Sequence, residues 1–232
     1  MAPLSVPTPA TTRRSRAKSD RRSQLIAAAE RLVAERGFLA VRLEDIGSAV
    51  GVSGPAIYRH FPNKEALLVE LLVGISTRLL AGATEVVARA EDPSSALGGL
   101  IDFHLDFALG ESHLIRIQDR DLGHLPPTAK RQVRRAQRQY VEIWVDVLRQ
   151  LDDTLSEADA RLMAHAAFGL LNSTPHSVKP GAAKTAEADS RAVLRAMTVA
   201  ALTSAGRAGV STRRACRRRG VRTDPTARTR RR

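Results

Sequence analysis

Residues Gly37 to Lys64, GFLAVRLEDIGSAVGVSGPAIYRHFPNK, hold two short apolar-periodic runs punctuated by glycine, and their reading decides the fold. On the N-terminal side, Leu25, Ala28, Ala29, Leu32 and Val33 fall at i, i+3, i+4, i+7 and i+8, the spacing of one buried helix face. Gly37 follows as a C′ residue free to adopt positive φ, so a first helix is predicted over about Arg22 to Arg36. Leu43, Ile46 and Val50 predict a second helix, Leu43 to Val50, which breaks at Gly51, where a sharp turn favours a residue without Cβ. Ser53 then offers a hydroxyl to the free N–H groups of a third helix, Gly54 to Phe61. Pro55 is tolerated in its first turn because the missing N–H has no intrahelical partner there. Two short helices joined by a tight turn have the layout of a helix-turn-helix DNA reader, with the third helix as the candidate for the major groove.

Gly37-Phe38, Asp45-Ile46, Gly51-Val52-Ser53, Ile57-Tyr58-Arg59-His60-Phe61 and Lys64-Glu65-Ala66-Leu67-Leu68 are spread over about Arg22 to Leu68. Together they resemble the N-terminal domain of the TetR (tetracycline-repressor-like) family, and a dense run of spaced matches is far more specific than a lone motif. The resemblance implies an all-α chain: an N-terminal three-helix helix-turn-helix domain followed by a helical ligand-binding and dimerisation domain. Two positions depart from the family pattern. Arg42 stands where a Ser or Thr cap is usual, and Gly47 replaces a small helix former at an intrinsic cost of about 1 kcal/mol. Packing is expected to outweigh both.

Tyr58, His60 and Lys64 match family positions that touch the DNA backbone, and each can donate to a phosphate oxygen. Arg59 is the one long donor in the middle of the third helix, able to reach guanine O6 and N7 or to fall back on phosphate. Gly54, Pro55 and Ala56 are too short for most polar readout, although Ala56 can meet a thymine methyl. With Arg42 and Ser53 these residues make up the expected DNA surface, and discrimination rests on Arg59, Arg42 and DNA shape. Phe38, Ile57 and Phe61 are assigned to the core.

The net charge of +13 is unevenly distributed. Residues 1–22 carry six basic groups against Asp20, a balance of +5, and residues 207–232 carry eleven arginines against Asp224, a balance of +10. Subtracting both from +13 leaves −2 for residues 23–206, so the body is not basic and the polycations are its ends. Basic tails gain salt-sensitive, sequence-independent affinity by releasing counterions from phosphate. The C-terminal tail has almost no large apolar residues and cannot repay ordering entropy, so disorder is expected there. Its role as a nonspecific nucleic-acid contact or as a chance extension is left open, with the second favoured.

The length suits a reader of about 45 residues and a second domain of roughly 140. The expected division is a disordered basic arm over 1–21, the helix-turn-helix domain over 22–67, a helical effector-binding and dimerisation domain over 68–205, and a disordered Arg-rich tail over 206–232. No 18-residue apolar run and no signal peptide are read, which predicts a cytoplasmic protein without a membrane partner. Cys216 is the only cysteine, so no intrachain disulfide and no cysteine-based zinc site are expected. No metal or cofactor is expected. No phosphate loop, nucleophile elbow or HExxH spacing is present to support an enzyme, and no catalytic residues are assigned.

Beyond Asn63, a cap for a fourth helix running to about Ala90, the chain reads as successive helices: Asp92-Pro93 to Leu109, Ser112 to Leu122, Pro126-Pro127 to Leu151, a Ser156-capped helix to Leu171, and Ala186 to Ala205. Asn172 to Lys184, with Pro175, Pro180 and Gly181, reads as a loop. Ala158, Leu162, Ala166, Ala167, Leu170 and Leu171, with Val193, Leu194, Met197, Ala200, Ala201 and Leu202, give the last two helices small-residue apolar faces. They suit a four-helix interface between two copies or packing within one subunit. The family resemblance implies a homodimer, which matches a palindromic double-stranded DNA operator.

Polar residues at apolar helix sites mark the candidate effector pocket: His104 between Phe103 and Phe107, Gln118 and Arg120 on the short helix, Tyr140 and Trp144 at i, i+4, with Phe168 and Asn172. Alternatives stay open: satisfied core histidines for His104 and His165, an ion-pair cluster for Asp119 to Asp121, and core packing for Trp144. Leu114 to Asp121, Tyr140-Val141-Glu142-Ile143-Trp144 and Phe168 to His176 resemble TetR regulators of actinobacterial type associated with acyl-CoA metabolism. That resemblance implies an acyl-CoA or fatty-acid-like small-molecule effector, and hence a ligand-responsive regulator, most simply a repressor. The rival reading is an architectural DNA binder that relies on its tails, with a steep salt slope and little operator preference.

Overall fold

The computed structural model describes residues 13–173 and 188–204, which are all-helical with no strand among them. In chain order the helices are α1 (Arg13–Arg36), α2 (Leu43–Ala49), α3 (Gly54–Ile57), α4 (Lys64–Arg89), α5 (Pro93–Gly110), α6 (Ser112–Asp121), α7 (Pro127–Leu151), α8 (Glu157–Leu171) and α9 (188–204), with a 3₁₀ turn at Leu122–His124. The expectations for residues 1–12, for the loop over 174–184 and for the tail with Cys216 fall outside the described residues.

Two boundaries differ from those expected. α1 begins at Arg13 rather than Arg22, so residues 13–21 of the basic arm are helical. No Pro or Gly interrupts that stretch, and Arg21 and Arg22 lock it to the rest of the reader. Arg21 donates to the Val50 carbonyl at 3.2 Å, and Arg22 donates to the His60 carbonyl at 2.6 Å, forks onto the Glu70 carboxylate and lies over the Phe61 ring. α3 keeps α-helical form only to Ile57, and Tyr58 to His60 continue as a tighter turn, with the Arg59 N–H on the Ala56 carbonyl and the His60 N–H on that of Ile57. Pro62 disfavours α conformation at Phe61 and so limits the helix.

The capping of the reader also departs from expectation. Arg42 supplies no cap oxygen, and its own N–H donates instead to the Asp45 carboxylate at 2.9 Å. Ser53 occupies the N-cap position of α3, but its hydroxyl makes no cap bond; its carbonyl takes the Ala56 and Ile57 N–H groups. Asn63 caps α4 as expected, accepting from the Ala66 N–H at 2.7 Å. Gly37 and Gly51 both adopt positive φ, 89° and 70°. Gly47 is explained by its surroundings rather than by propensity. A Cβ there would stand 2.8 Å from the Val52 carbonyl oxygen, so glycine lets the turn close over α2, and the Val52 N–H donates back to the Gly47 carbonyl at 2.8 Å.

One hydrophobic cluster joins Leu25, Val33, Phe38, Ile46, Ile57 and Phe61 of the reader to Leu68, Leu72 and Ile75 of α4, Leu114 and Ile117 of α6, and Val133 of α7. The apolar core therefore does not break at residue 67. A second cluster, with Trp144 fully buried in it, fills the space between α4, α5, α7, α8 and α9. α4 belongs to both. It is long and apolar enough to cross a membrane by length and composition, although Arg78 interrupts its apolar run, and Leu67, Leu68, Leu71, Leu72, Ile75 and Ala83 are buried in protein contacts. α9 is tied to α5 by Arg191 with Asp106 and by Arg195 with Asp102.

Candidate DNA-binding surface and ligand cavity

The reader presents Arg42, Ser53, Pro55, Tyr58 and Arg59 exposed, with Gly54, Ala56, His60 and Lys64 half-buried beside them. The Arg59 guanidinium is exposed and has no hydrogen-bond or ion-pair partner among the described residues. The Tyr58 hydroxyl donates to the Glu44 carboxylate at 2.6 Å, which holds the Glu44 carboxyl below its ordinary range and pushes the Tyr58 phenol up. Tyr58 must leave Glu44 before it can donate to a phosphate. The Lys64 ammonium rests on the Leu39 carbonyl at 3.2 Å and over the Phe38 ring at 4.6 Å, so its position is fixed before any DNA arrives. His60 is pushed down by desolvation, then by Arg22, Lys18 and Arg21, which favours the neutral ring.

Behind the reader, a cavity of about 230 Å³ is walled by α4, α5, α6, α7 and α8. Of the residues expected to hold an effector, His104, Gln118, Tyr140, Phe168 and Asn172 line it. Arg120 and Trp144 do not. Trp144 packs edge-on to Phe168, with ring centroids 5.0 Å apart, as core beneath the wall. His165 is exposed and lines the cavity, contrary to its reading as a core histidine, because it lies on the solvent side of α8. Ser76 and Gln137 were not singled out as ligand contacts, whereas Asp119, weighed as a cleft residue or as part of an ion-pair cluster, lines the cavity. Gln137 was legible as a polar residue on α7 beside Val133, Tyr140 and Val141, whereas Ser76 meets the cavity only through the packing of α4.

The inner wall carries a buried polar chain. The Asn172 Oδ1 lies 3.0 Å from His104 Nε2, and the Tyr140 hydroxyl lies 2.9 Å from Nδ1. An amide oxygen only accepts, so Nε2 carries the proton and Nδ1 accepts from Tyr140. Burial lowers the His104 pKa to about 4 against the opposing bond to Asn172, so the ring is neutral and the chain is satisfied throughout. Burial likewise raises the Tyr140 phenol. The Tyr140 oxygen keeps lone pairs and the Asn172 amide keeps its N–H groups for a polar atom on a bound molecule.

Arg120 has a different task from the one expected. It leaves α6, bonds the buried Asp121 carboxylate at 3.0–3.2 Å, and donates to the Val33 carbonyl at the C-terminal end of α1. That carbonyl also takes the Gly37 N–H at 2.8 Å, and the Gly37 Cα faces the guanidinium closely enough that a Cβ would lie 3.6 Å from it. α6 thus lines the cavity with Ile115, Gln118 and Asp119 while holding the end of the first reader helix.

A three-helix helix-turn-helix unit is joined here by one long helix to an all-helical body with a cavity, the layout of DNA-binding regulators of the one-component kind. The chain matches the model of bacterial regulatory proteins of the tetR family over residues 25–71 and the tetracyclin repressor-like C-terminal domain over residues 90–188, and it belongs to the TetR family. It is similar to the HTH-type transcriptional repressor KstR2 of Rhodococcus jostii strain RHA1, 31% identical over 133 residues, or 56% of this chain and 65% of that protein. KstR2 of Mycobacterium tuberculosis H37Rv is 30% identical over 57% of this chain and 66% of its own length. The chain thus spans just under two thirds of these relatives. The solved KstR2 of M. tuberculosis superposes with a TM-score of 0.69 at 23% identity, covering 79% of this chain and 94% of that one. AibR, solved with isovaleryl coenzyme A and operator DNA, gives a TM-score of 0.65 at 18% identity over 76% and 97%, a likeness of fold.

Proposed function

We propose that this chain is a transcriptional repressor, acting in the cytoplasm as a homodimer on a palindromic operator and released by a small amphipathic effector of the acyl-CoA kind. The observation that carries the reading is the double role of α6, which walls the cavity and grips the Val33 carbonyl of α1 through Arg120. A ligand that displaces α6 therefore acts on the reader directly. The naming of KstR2 as a repressor and the capture of AibR with a CoA thioester support the same direction. Dimerisation through α8 and α9 is supported by Leu162, Val193 and Met197, which are 69%, 56% and 50% exposed beside the exposed Ala158, Ala166, Ala200 and Ala201. Ala167, Leu171, Leu194 and Leu202 of the same two helices are buried within the subunit, so each helix serves both its own core and an outer face.

Two recognition helices must stand about 34 Å apart to enter successive turns of the major groove. A tilt of α4 or α6 alters that spacing, and driving the population from 1:99 to 99:1 takes about 5.5 kcal/mol of differential binding. At about 0.8 kcal/mol per CH₂, roughly seven buried methylenes supply it. The test is footprinting to find the operator, followed by titration of acyl-CoAs of increasing chain length into the complex. Release that strengthens with chain length is expected. Release only by a small polar compound would reject the effector class and leave the DNA-binding role standing.

Within the reader, Arg59→Ala is expected to flatten base preference, costing about 1–3 kcal/mol at the operator and little on scrambled DNA. Lys64→Ala should weaken both by similar factors, since a phosphate contact carries no sequence information. Equal losses on both DNAs for Arg59→Ala would show that Arg59 only positions the protein.

A further inference from the structure

The first half of α7 carries Lys130, Arg131, Arg134, Arg135 and Arg138, and none of them has an ion-pair partner among the described residues. Several other arginines of the body are paired, Arg78 with Glu111, Arg161 with Glu142 and Glu157, Arg191 and Arg195 with acids of α5, whereas Arg116 and Arg149 have no ion pair among the described residues. Lys130, Arg134 and Arg138 fall at i, i+4 and i+8 and form one stripe, and such like-charge neighbours repel. None of the three lines the cavity, but by helical register the stripe flanks its α7 wall. Gln137, Tyr140 and Val141 form the α7 part of the cavity wall, and Arg134 and Arg138 precede Gln137 and Val141 by three residues, the spacing of side chains that touch on a helix.

We infer that Lys130, Arg134 and Arg138 bind the phosphate groups of the effector, while its acyl end fills the cavity. This rests on the CoA-thioester reading above and adds to it the site that recognises the nucleotide half. A cavity of about 230 Å³ takes an acyl group but not the nucleotide, which must lie outside it. The phosphates carry several negative charges, and guanidinium groups bind phosphate oxygens bidentately. The connecting pantetheine arm is uncharged and has amide N–H donors. Asp119, which lines the cavity without an ion pair among the described residues, is an acceptor suited to such donors.

The test is calorimetric titration of the full chain and of the Arg134→Ala/Arg138→Ala variant with octanoyl-CoA and with octanoyl-pantetheine, which lacks the nucleotide phosphates. The native chain is expected to bind octanoyl-CoA at least tenfold more tightly than octanoyl-pantetheine. The variant should lose at least tenfold on the CoA thioester and less than twofold on the pantetheine thioester. In the native chain, raising salt should weaken only the CoA thioester appreciably. Equal affinity of the native chain for the two thioesters, or equal losses on both in the variant, overturns the phosphate site and leaves the acyl cavity intact. A variant that loses operator affinity while binding octanoyl-CoA normally assigns the stripe to DNA and overturns the inference. Absence of binding by either thioester to the native chain overturns the effector reading itself, and this site with it.

Discussion

Acidification from pH 6.5 to about 4 is expected to cost the folded chain about 3 kcal/mol through His104 alone. Burial lowers its folded pKa to about 4, while the unfolded ring titrates near 6.5. Between those values the unfolded chain binds a proton that the folded chain refuses, so stability falls as pH falls through this window and is fully present above 6.5. A proton on Nδ1 would also end its acceptance from Tyr140 and set two donors face to face. Urea titrations at pH 7 and pH 4.5 on the native chain and on His104→Gln measure the effect as a difference. The native chain should lose its advantage over the variant toward acid. Parallel pH dependence in the two would show that His104 titrates normally and that the buried chain is not as drawn.

Gly47→Ala is the second large effect, and two principles oppose each other in it. Helix propensity favours alanine by about 1 kcal/mol in α2. The 2.8 Å approach of the new Cβ to the Val52 carbonyl opposes it, and a main-chain oxygen held by the turn cannot swing aside as a side-chain tip does. Overpacking typically costs 1–3 kcal/mol, so a net loss of about 1 kcal/mol is expected, together with weaker operator binding as α3 is displaced. Gly74 of α4 is the control: it is exposed, nothing lies within 4 Å of its added Cβ, and Gly74→Ala should gain about 1 kcal/mol. Melting curves for the two variants decide it. A rise in Tm for both would mean the α2 turn has slack.

These cases mark where sequence reading succeeds and where it stops. Gly37, Gly51 and Asn63 were legible because each answers a local backbone requirement: positive φ twice and an orphan N–H once. Gly47 looked like a defect because its reason is a non-neighbouring carbonyl. The cavity was half legible. His104, Gln118, Tyr140, Phe168 and Asn172 stood out as polar or aromatic residues on apolar helix faces, and they converge. Arg120 stood out for the same reason and was misassigned, since nothing in its own helix tells that the end of α1 lies opposite. His165 and Trp144 exchanged roles, one outward and one inward, because residues on one amphipathic pattern are sorted only by the rotation of the helix in its bundle.

The bond from Arg120 to α1 ends on a main-chain oxygen, so it asks nothing of the side chain at position 33. Any sequence that ends its first helix at the same height, with a glycine at position 37 to turn the chain at positive φ, offers the same handle. On the function proposed above, the reader can therefore change its base preferences residue by residue while remaining coupled to the same cavity. Modular exchange is thereby built into the joint: a graft of foreign residues over 37–64 onto this body should inherit its switch, provided Gly37 travels with it.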